Sequence, residues 1–218
     1  MTTPDYSIAA VASSDLPTLA RFIHDAKLAL SINRLIFLDW PNEPVQSRQY
    51  TSAVQSGYDD PSIECFKAVD NHSQEIIGYF VLGRKRSVEK TPPIDIKNDD
   101  SKADVPEGLN PALLAEVVNA TSLIARETED IDRYELIYMC VKPALQRQGI
   151  GSELVRLGFE RAQAEGIPLA VCAEAPAYKF FAKLGFKETT HVDIDLRNYA
   201  PANTGFGIFR LTGMIWRP

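Results

Sequence analysis

The sequence predicts an α/β fold, and three observations carry that prediction. One stretch, Tyr134 to Gly166, reads as a strand, a glycine-containing turn and a helix. Apolar strand-like runs recur on both sides of it, among segments with helical spacing. The chain has 218 residues and is 45% hydrophobic, enough for one sizeable core, so a single domain over residues 1–218 is expected.

In the central stretch, Leu136 to Val141 has the length and residue types of a buried strand, and Lys142-Pro143 ends it because proline cannot donate to a sheet ladder. Gln146-Arg147-Gln148-Gly149-Ile150-Gly151 forms the turn, and Ser152 to Glu165 the helix. Ile150, Leu154, Leu157, Gly158 and Ala162 fall on one helical face. Gly166 stands where a left-handed cap belongs, with Pro168 just beyond. Such a turn aims main-chain N–H groups at one point, where the helix adds the positive end of its dipole. Gly149 and Gly151 lack a Cβ, which lets an anion such as a pyrophosphate approach the main chain. Glycines that merely ease packing are the alternative. A dinucleotide fingerprint is excluded because Leu154 stands where its third glycine or alanine belongs, and the Gly-Lys-Ser/Thr of a nucleoside-triphosphate loop is missing.

The remaining elements follow in order. Tyr6 to Ala12 predicts a first strand, and Ser14 or Asp15 a cap for a helix carrying Leu16, Leu19, Ala20, Ile23, Ala26 and Lys27, with its stripe continuing through Leu30. An apolar run, Leu35 to Trp40, is broken by Pro41. Val45 to Gly57 predicts a helix. Ile63 to Val69 and Ile76 to Leu82 predict a hairpin across the turn residues Asn71 to Gln74, where His72 is expected in solvent. From Gly83 the composition turns polar and proline-bearing through Arg84-Lys85-Arg86, Pro92-Pro93 and Asn98 to Lys102, which predicts an inserted loop. Asn110-Pro111 then opens a helix to about Glu127, so that 83–128 reads as an inserted loop plus helix. Strands are expected at Pro168 to Ala173, Phe186 to Leu196 and Gly207 to Trp216, with a helix from Ala177 to Leu184 capped by Gly185.

Composition limits function. Lys plus Arg total 23 against 29 Asp plus Glu, a formal charge of −6 that disfavours a nucleic-acid surface and favours a cationic acceptor. Only Arg84-Lys85-Arg86 speaks for nucleic acid. No apolar run approaches the ~20 residues of a membrane span, and the N-terminus lacks signal-peptide features. Cys65, Cys140 and Cys172 are odd in number and lie in strand-like runs, which points to a reducing, cytoplasmic compartment and to buried structural thiols, with a nucleophile as the alternative. Neither a metal-ligand cluster nor an internal repeat is apparent in the sequence.

Gln146 to Gly151 resembles the Gln/Arg-x-x-Gly-x-Gly/Ala signature of the GCN5-related N-acetyltransferase (GNAT) superfamily, preceded as in that family by a strand ending Val-x-Pro, here Val141-Lys142-Pro143. Lys183-Leu184-Gly185-Phe186 resembles the family's Tyr-Glu-Lys-Leu-Gly-Phe segment. The resemblance covers Tyr134 to Glu188. It implies a mixed, mostly antiparallel central sheet flanked by helices, with a splay beside the central strand, and transfer of an acetyl group from acetyl-CoA to an amine, either a small molecule or a peptide. It places acetyl-CoA against Met139, Cys140 and Val141, the loop residues Gln146, Arg147, Gln148, Gly149, Ile150, Gly151 and Ser152, and Phe181. It places Phe37, Asp39 and Trp40 over the acceptor, where core packing is the other reading.

Glu135 is the candidate base, eleven positions before Gln146 at a spacing similar to the catalytic glutamate of the histone acetyltransferase branch. An exposed strand end is its alternative. Glu174 is the rival acid group, as a substrate contact or as a helix cap. Many family members carry a tyrosine two residues before Lys-Leu-Gly-Phe that protonates the coenzyme thiolate. Phe181 stands there and has no proton to give, whereas Tyr178 lies three residues earlier on the helix and is the candidate substitute. Loss of that acid supports a second reading, a non-catalytic acyl-CoA-binding or interaction protein. Neither acceptor identity nor subunit pairing is legible.

Overall fold

The computed structural model describes residues 5–28, 30–38, 40–87 and 106–218. Strands β1 (Tyr6–Ala10), β2 (Ile63–Asp70), β3 (Ile76–Lys85), β4 (Arg133–Val141), β5 (Leu169–Glu174), β6 (Lys187–Asp195) and β7 (Ile208–Trp216) form one sheet in the order β1-β2-β3-β4-β5-β7-β6. Every neighbouring pair is antiparallel except β4 and β5, which run parallel. The expected fold class is thereby found.

Helices cover both faces. Helix α5 (Ile150–Glu165) and helix α6 (Ala175–Lys183) pack on one face through Ile150, Leu154, Val155, Ala162 and Phe181, against Phe80, Leu136, Leu169 and Val171 of the sheet. Each such apolar side chain removed from water contributes ~1.5–3 kcal/mol. Gly158 lets α5 approach closely, since a Cβ there would stand 2.9 Å from Leu169 Cδ2. On the opposite face α1 (Leu16–Lys27) and α3 (Glu43–Asp59) cover β3 and β4 through Leu19, Ile23, Val54, Tyr79 and Val81. Helix α4 (Pro111–Arg126) covers β6 and β7 on that same side, with Leu113, Ala120 and Ile124 against Ile194 and Leu211.

Several local expectations hold to within a residue or two. Asn110 caps α4 by accepting from Leu113 N at 3.2 Å, and Gly166 closes α5 at φ +67°. Three details differ. Helix α1 stops at Lys27 and does not continue to Leu30, because the Asn33 side-chain amide takes the Lys27 carbonyl at 2.8 Å and the chain turns into the one-turn helix α2 (Asn33–Ile36). Asp15 precedes α1 without bonding its N–H groups; its carboxylate accepts from Ala12 N at 2.8 Å and from Lys67 Nζ at 2.5 Å. The third is that β3 runs on through Lys85, so the polar stretch begins later than Gly83. Pro92-Pro93 and Asn98 to Lys102 lie outside the described residues.

Candidate active site

The parallel pairing of β4 with β5 lasts for only three residue pairs, Tyr134↔Leu169, Glu135↔Ala170 and Leu136↔Val171. Beyond them the two strands make no ladder bonds to each other, and a cleft opens between 137–141 and 172–174. A bulge accompanies the parting. Leu136 pairs with Leu82 and Tyr138 with Val81, which leaves Ile137 as the extra residue of β4. Gly83 makes room for it, since a Cβ there would meet Ile137 Cδ1 at 2.7 Å. One extra residue bends a strand and inverts the alternation of its side chains. Leu136, Met139 and Val141 accordingly join the core beneath α5, whereas Tyr138 and Cys140 face α1 and α3.

The turn after β4 lies at the wide end of this cleft. Gln146, Arg147, Gln148 and Gly149 are exposed, and Arg147 and Gly149 have φ of +63° and +94°. A Cβ built on Gly149 would meet nothing within 4 Å, so the space in front of that main chain is open. Gly149 O accepts the first helical bond from Glu153 N at 3.1 Å. The N–H groups of Ile150, Gly151 and Ser152 therefore have no acceptor one turn back and stand at the positive end of α5. Gln146 and Gln148 turn their amides to Val141 O and Ala144 O at 3.2 and 3.4 Å, which ties the loop to its own base. Gly151 plays a different part from Gly149: its hydrogen side packs on Phe180, whose Cζ would lie 3.4 Å from an added Cβ.

The other face of the cleft is polar. The ammonium of Lys27 is ion-paired to Glu174 and lies 5.5 Å from the centroid of the Tyr138 ring. Asn33, which holds the Lys27 carbonyl, also donates to the Tyr50 hydroxyl at 3.3 Å. Burial and then the Glu174 charge push the Tyr50 phenol up to about 12. Burial likewise raises Tyr138, and it drives the Cys140 thiol far above the ordinary range despite the opposing pull of Tyr138 and Lys27. Cys172 is pushed up to about 11, by burial first and then by the carboxylates of Glu174 and Glu135. All three cysteines are free thiols, and none is held as a thiolate.

The residues singled out from sequence separate into groups. Met139, Cys140 and Val141 lie on the wide part of the cleft, and 146–152 form the loop beside it. Glu174 precedes α6 but makes no side-chain cap bond, so the capping alternative gives way to its pairing with Lys27. Glu135 lies on the narrow, paired end of β4, 4.0 Å from the Arg133 guanidinium, and lines a cavity of about 210 Å³ together with Arg133, Cys172 and Thr121 of α4. Phe181 is 3% exposed and belongs to the core, with its ring against Phe180 and Phe186. The phenol of Tyr178 is hydrogen-bonded to Glu188 of β6, which raises its pKa. Phe180, two positions on and so about 200° around the helix, is the residue that meets the α5 N-terminus. Phe37 is buried against Tyr50 at 6.1 Å, Trp40 is half-buried, and Asp39 lies outside the described residues.

Sequence alone did not single out Lys27, Tyr138, Tyr50 or Phe180. A signal existed for Lys27, a charged residue closing an otherwise apolar helical stripe.

A mixed sheet whose two parallel strands part beside a glycine turn at a helix N-terminus is the arrangement that the sequence resemblance implied. Comparison with known proteins agrees. Residues 113–188 match the family model described as the acetyltransferase (GNAT) domain. An uncharacterized N-acetyltransferase of Schizosaccharomyces pombe is 32% identical over 81 residues, which are 37% of this chain and 32% of that protein. The match thus spans about a third of that curated relative's length. Among solved structures, a histone acetyltransferase HPA2-related acetyltransferase from Corynebacterium glutamicum superposes with a TM-score of 0.62 at 16% identity, covering 100% of this chain and 97% of that one. A putative arylalkylamine N-acetyltransferase 7 of Aedes aegypti gives 0.65 at 15% identity over 97% and 87%. Arabidopsis thaliana NAA60, in complex with a bisubstrate analogue, gives 0.54 at 15% over 97% of both chains. The structural likenesses are likenesses of fold. Residues 113–188 are thus similar to a GNAT acetyltransferase domain, and the fold is the one these solved structures share.

Proposed function

We propose that the chain, as a single domain, transfers an acetyl group from acetyl-CoA to an amine, on a small molecule or a peptide. The observation that carries this is the open main chain at Gly149 and the α5 N-terminus, set beside a cleft that β4 and β5 leave unpaired. The donor fits: a diphosphate finds N–H groups of Ile150, Gly151 and Ser152 with the exposed Arg147 beside them, and no Cβ at 149 bars its approach. When bound, acetyl-CoA supplies the activated thioester.

The chain's own groups then have distinct tasks. Main-chain N–H groups on the unpaired edge of Met139 to Val141 offer donors to a carbonyl oxygen. Phe37 and Trp40 wall the acceptor side. Glu174, at the end of β5 where the strands have parted, takes the proton from an incoming ammonium. Glu135 lies farther down the same face, at the paired end of β4, beside Arg133. Phe181 has no proton to give and Tyr178 donates to Glu188, so solvent protonates the departing thiolate.

Titration of the purified chain with acetyl-CoA in a calorimeter, followed by thiol release with a panel of amines, tests this. Binding that Gly149→Glu abolishes, with turnover on at least one amine, is expected. Unchanged affinity in that variant would refute the loop assignment. The buried Phe181 favours one second reading, an acyl-CoA-binding protein without turnover, for which binding without thiol release is the signature.

A further inference from the structure

Lys27, the last residue of α1, reaches Glu174, the last residue of β5. Its ammonium is paired to the Glu174 carboxylate and faces the Tyr138 ring at 5.5 Å. A carboxylate and an aromatic face in a partly desolvated cleft make a favourable seat for an ammonium ion. The side chains of Lys27 and Glu174 keep 25% and 29% of their surface exposed, so a ligand can reach both. The placement is built and not incidental. Asn33 clamps the Lys27 carbonyl at 2.8 Å and reaches Tyr50 at 3.3 Å, which ties the end of α1 to α2 and α3. Its charge also opposes the rise of the Cys140 and Cys172 thiols, one on each of the two strands that part.

We infer that Lys27 is a built-in competitor for the acceptor, occupying the ammonium seat of Glu174 and Tyr138 so that only a cationic amine able to replace it gains the site. This rests on the acetyl-transfer reading for what the acceptor is used for, but the seat itself is testable without turnover. Exchange of one ammonium for another leaves Glu174 paired throughout. A neutral ligand that pushed Lys27 aside would leave a half-buried carboxylate without its cation, which is unfavourable. Lys27 therefore lowers apparent affinity, and the Glu174 carboxylate sets the selectivity. Apparent affinity falls by the fraction of time the seat is filled from within, about tenfold if Lys27 occupies it nine-tenths of the time.

The test uses the full chain, with hexylamine as the cationic probe and hexan-1-ol as its neutral counterpart, by calorimetry at neutral pH. Lys27→Met is expected to bind hexylamine about tenfold more tightly than the wild type, while Lys27→Arg stays near it and hexanol, which brings Glu174 no cation, remains the weaker ligand in all three. Adding Glu174→Gln to Lys27→Met is expected to remove the gain. Lys27→Gln, checked by its thermal melt, takes the place of Lys27→Met should that variant fail to fold. Equal or weaker hexylamine binding on loss of the Lys27 charge overturns the inference, as does hexanol binding Lys27→Met as tightly as hexylamine does. Acetyl-CoA titrated into the same samples keeps the two conclusions apart: absent coenzyme binding refutes acetyl transfer, whereas the amine series judges Lys27.

Discussion

The rings of Phe181 and Phe186 meet edge to face, with centroids 5.3 Å apart and planes at 70°, and Phe186 N donates to Phe181 O at 3.2 Å. The cap of α6 and the core are thus joined at the position where many family members carry a thiolate-protonating tyrosine. Restoring that tyrosine puts a hydroxyl into an apolar site. Phe181→Tyr is expected to lose ~1–3 kcal/mol of stability in urea denaturation and to gain no turnover. A variant of wild-type stability and higher turnover would show that the position opens onto the cleft after all.

Tyr178 offers a contrast. Its hydroxyl is held by Glu188 on the outer part of the sheet, and its helical direction is away from the α5 N-terminus. Tyr178→Phe is expected to leave acetyl-CoA affinity and turnover within about twofold of wild type, since surface changes are usually small. A large fall in turnover across the whole pH range would make Tyr178 the proton donor.

Gly149 separates ligand effects from folding effects. Its φ of +94° disfavours any Cβ, yet nothing lies within 4 Å of one. Gly149→Ala is expected to cost about 1–2 kcal/mol through backbone conformation alone, with the fold intact by circular dichroism. Acetyl-CoA affinity falls with it, because the methyl group points into the space the diphosphate uses. Undiminished affinity would mean that the donor binds elsewhere.

The thiols provide a chemical check. With Cys172 pushed up to about 11, only about a thousandth of it is thiolate at pH 8. Cys65 and Cys140 are raised by burial as well. Ellman's reagent is expected to react slowly with the native chain and at once with all three in guanidinium. A fast-reacting native thiol would revive a covalent mechanism through cysteine.

Asp132 governs part of the acid response. The Ser87 N–H at 2.7 Å, and then Arg84 at 3.0 Å, hold its carboxyl down at about 2. A carboxyl whose folded pKa is depressed binds protons less readily than in the unfolded chain, where it titrates near 3.9. Its stabilisation is present above about pH 4 and is lost as pH falls through 2. Asp132→Asn is expected to flatten the denaturation midpoint between about pH 4 and 2. An unchanged slope would leave the contact without thermodynamic weight.

What the sequence determined was local. The run from Leu136 to Val141, the glycine turn, the α5 stripe and the Gly166 cap are each dictated by residues near one another in the chain, and so were legible there. The same is true of Asn110 with Pro111, and of the Phe181–Phe186 contact that follows from a glycine cap. The tertiary structure alone decided the rest. The parting of β4 from β5 after Leu136 coincides with a bulge whose room is made by Gly83, a residue from another strand. Lys27 and Glu174 are 147 positions apart, and no local pattern announces that a helix end and a strand end will share one ion pair. Glu174 looked like a cap because capping is a short-range property; the longer-range Coulombic partner took it instead. Periodicity and turn chemistry act over a few residues, whereas a cleft is made by elements that meet only once the sheet has closed over its core.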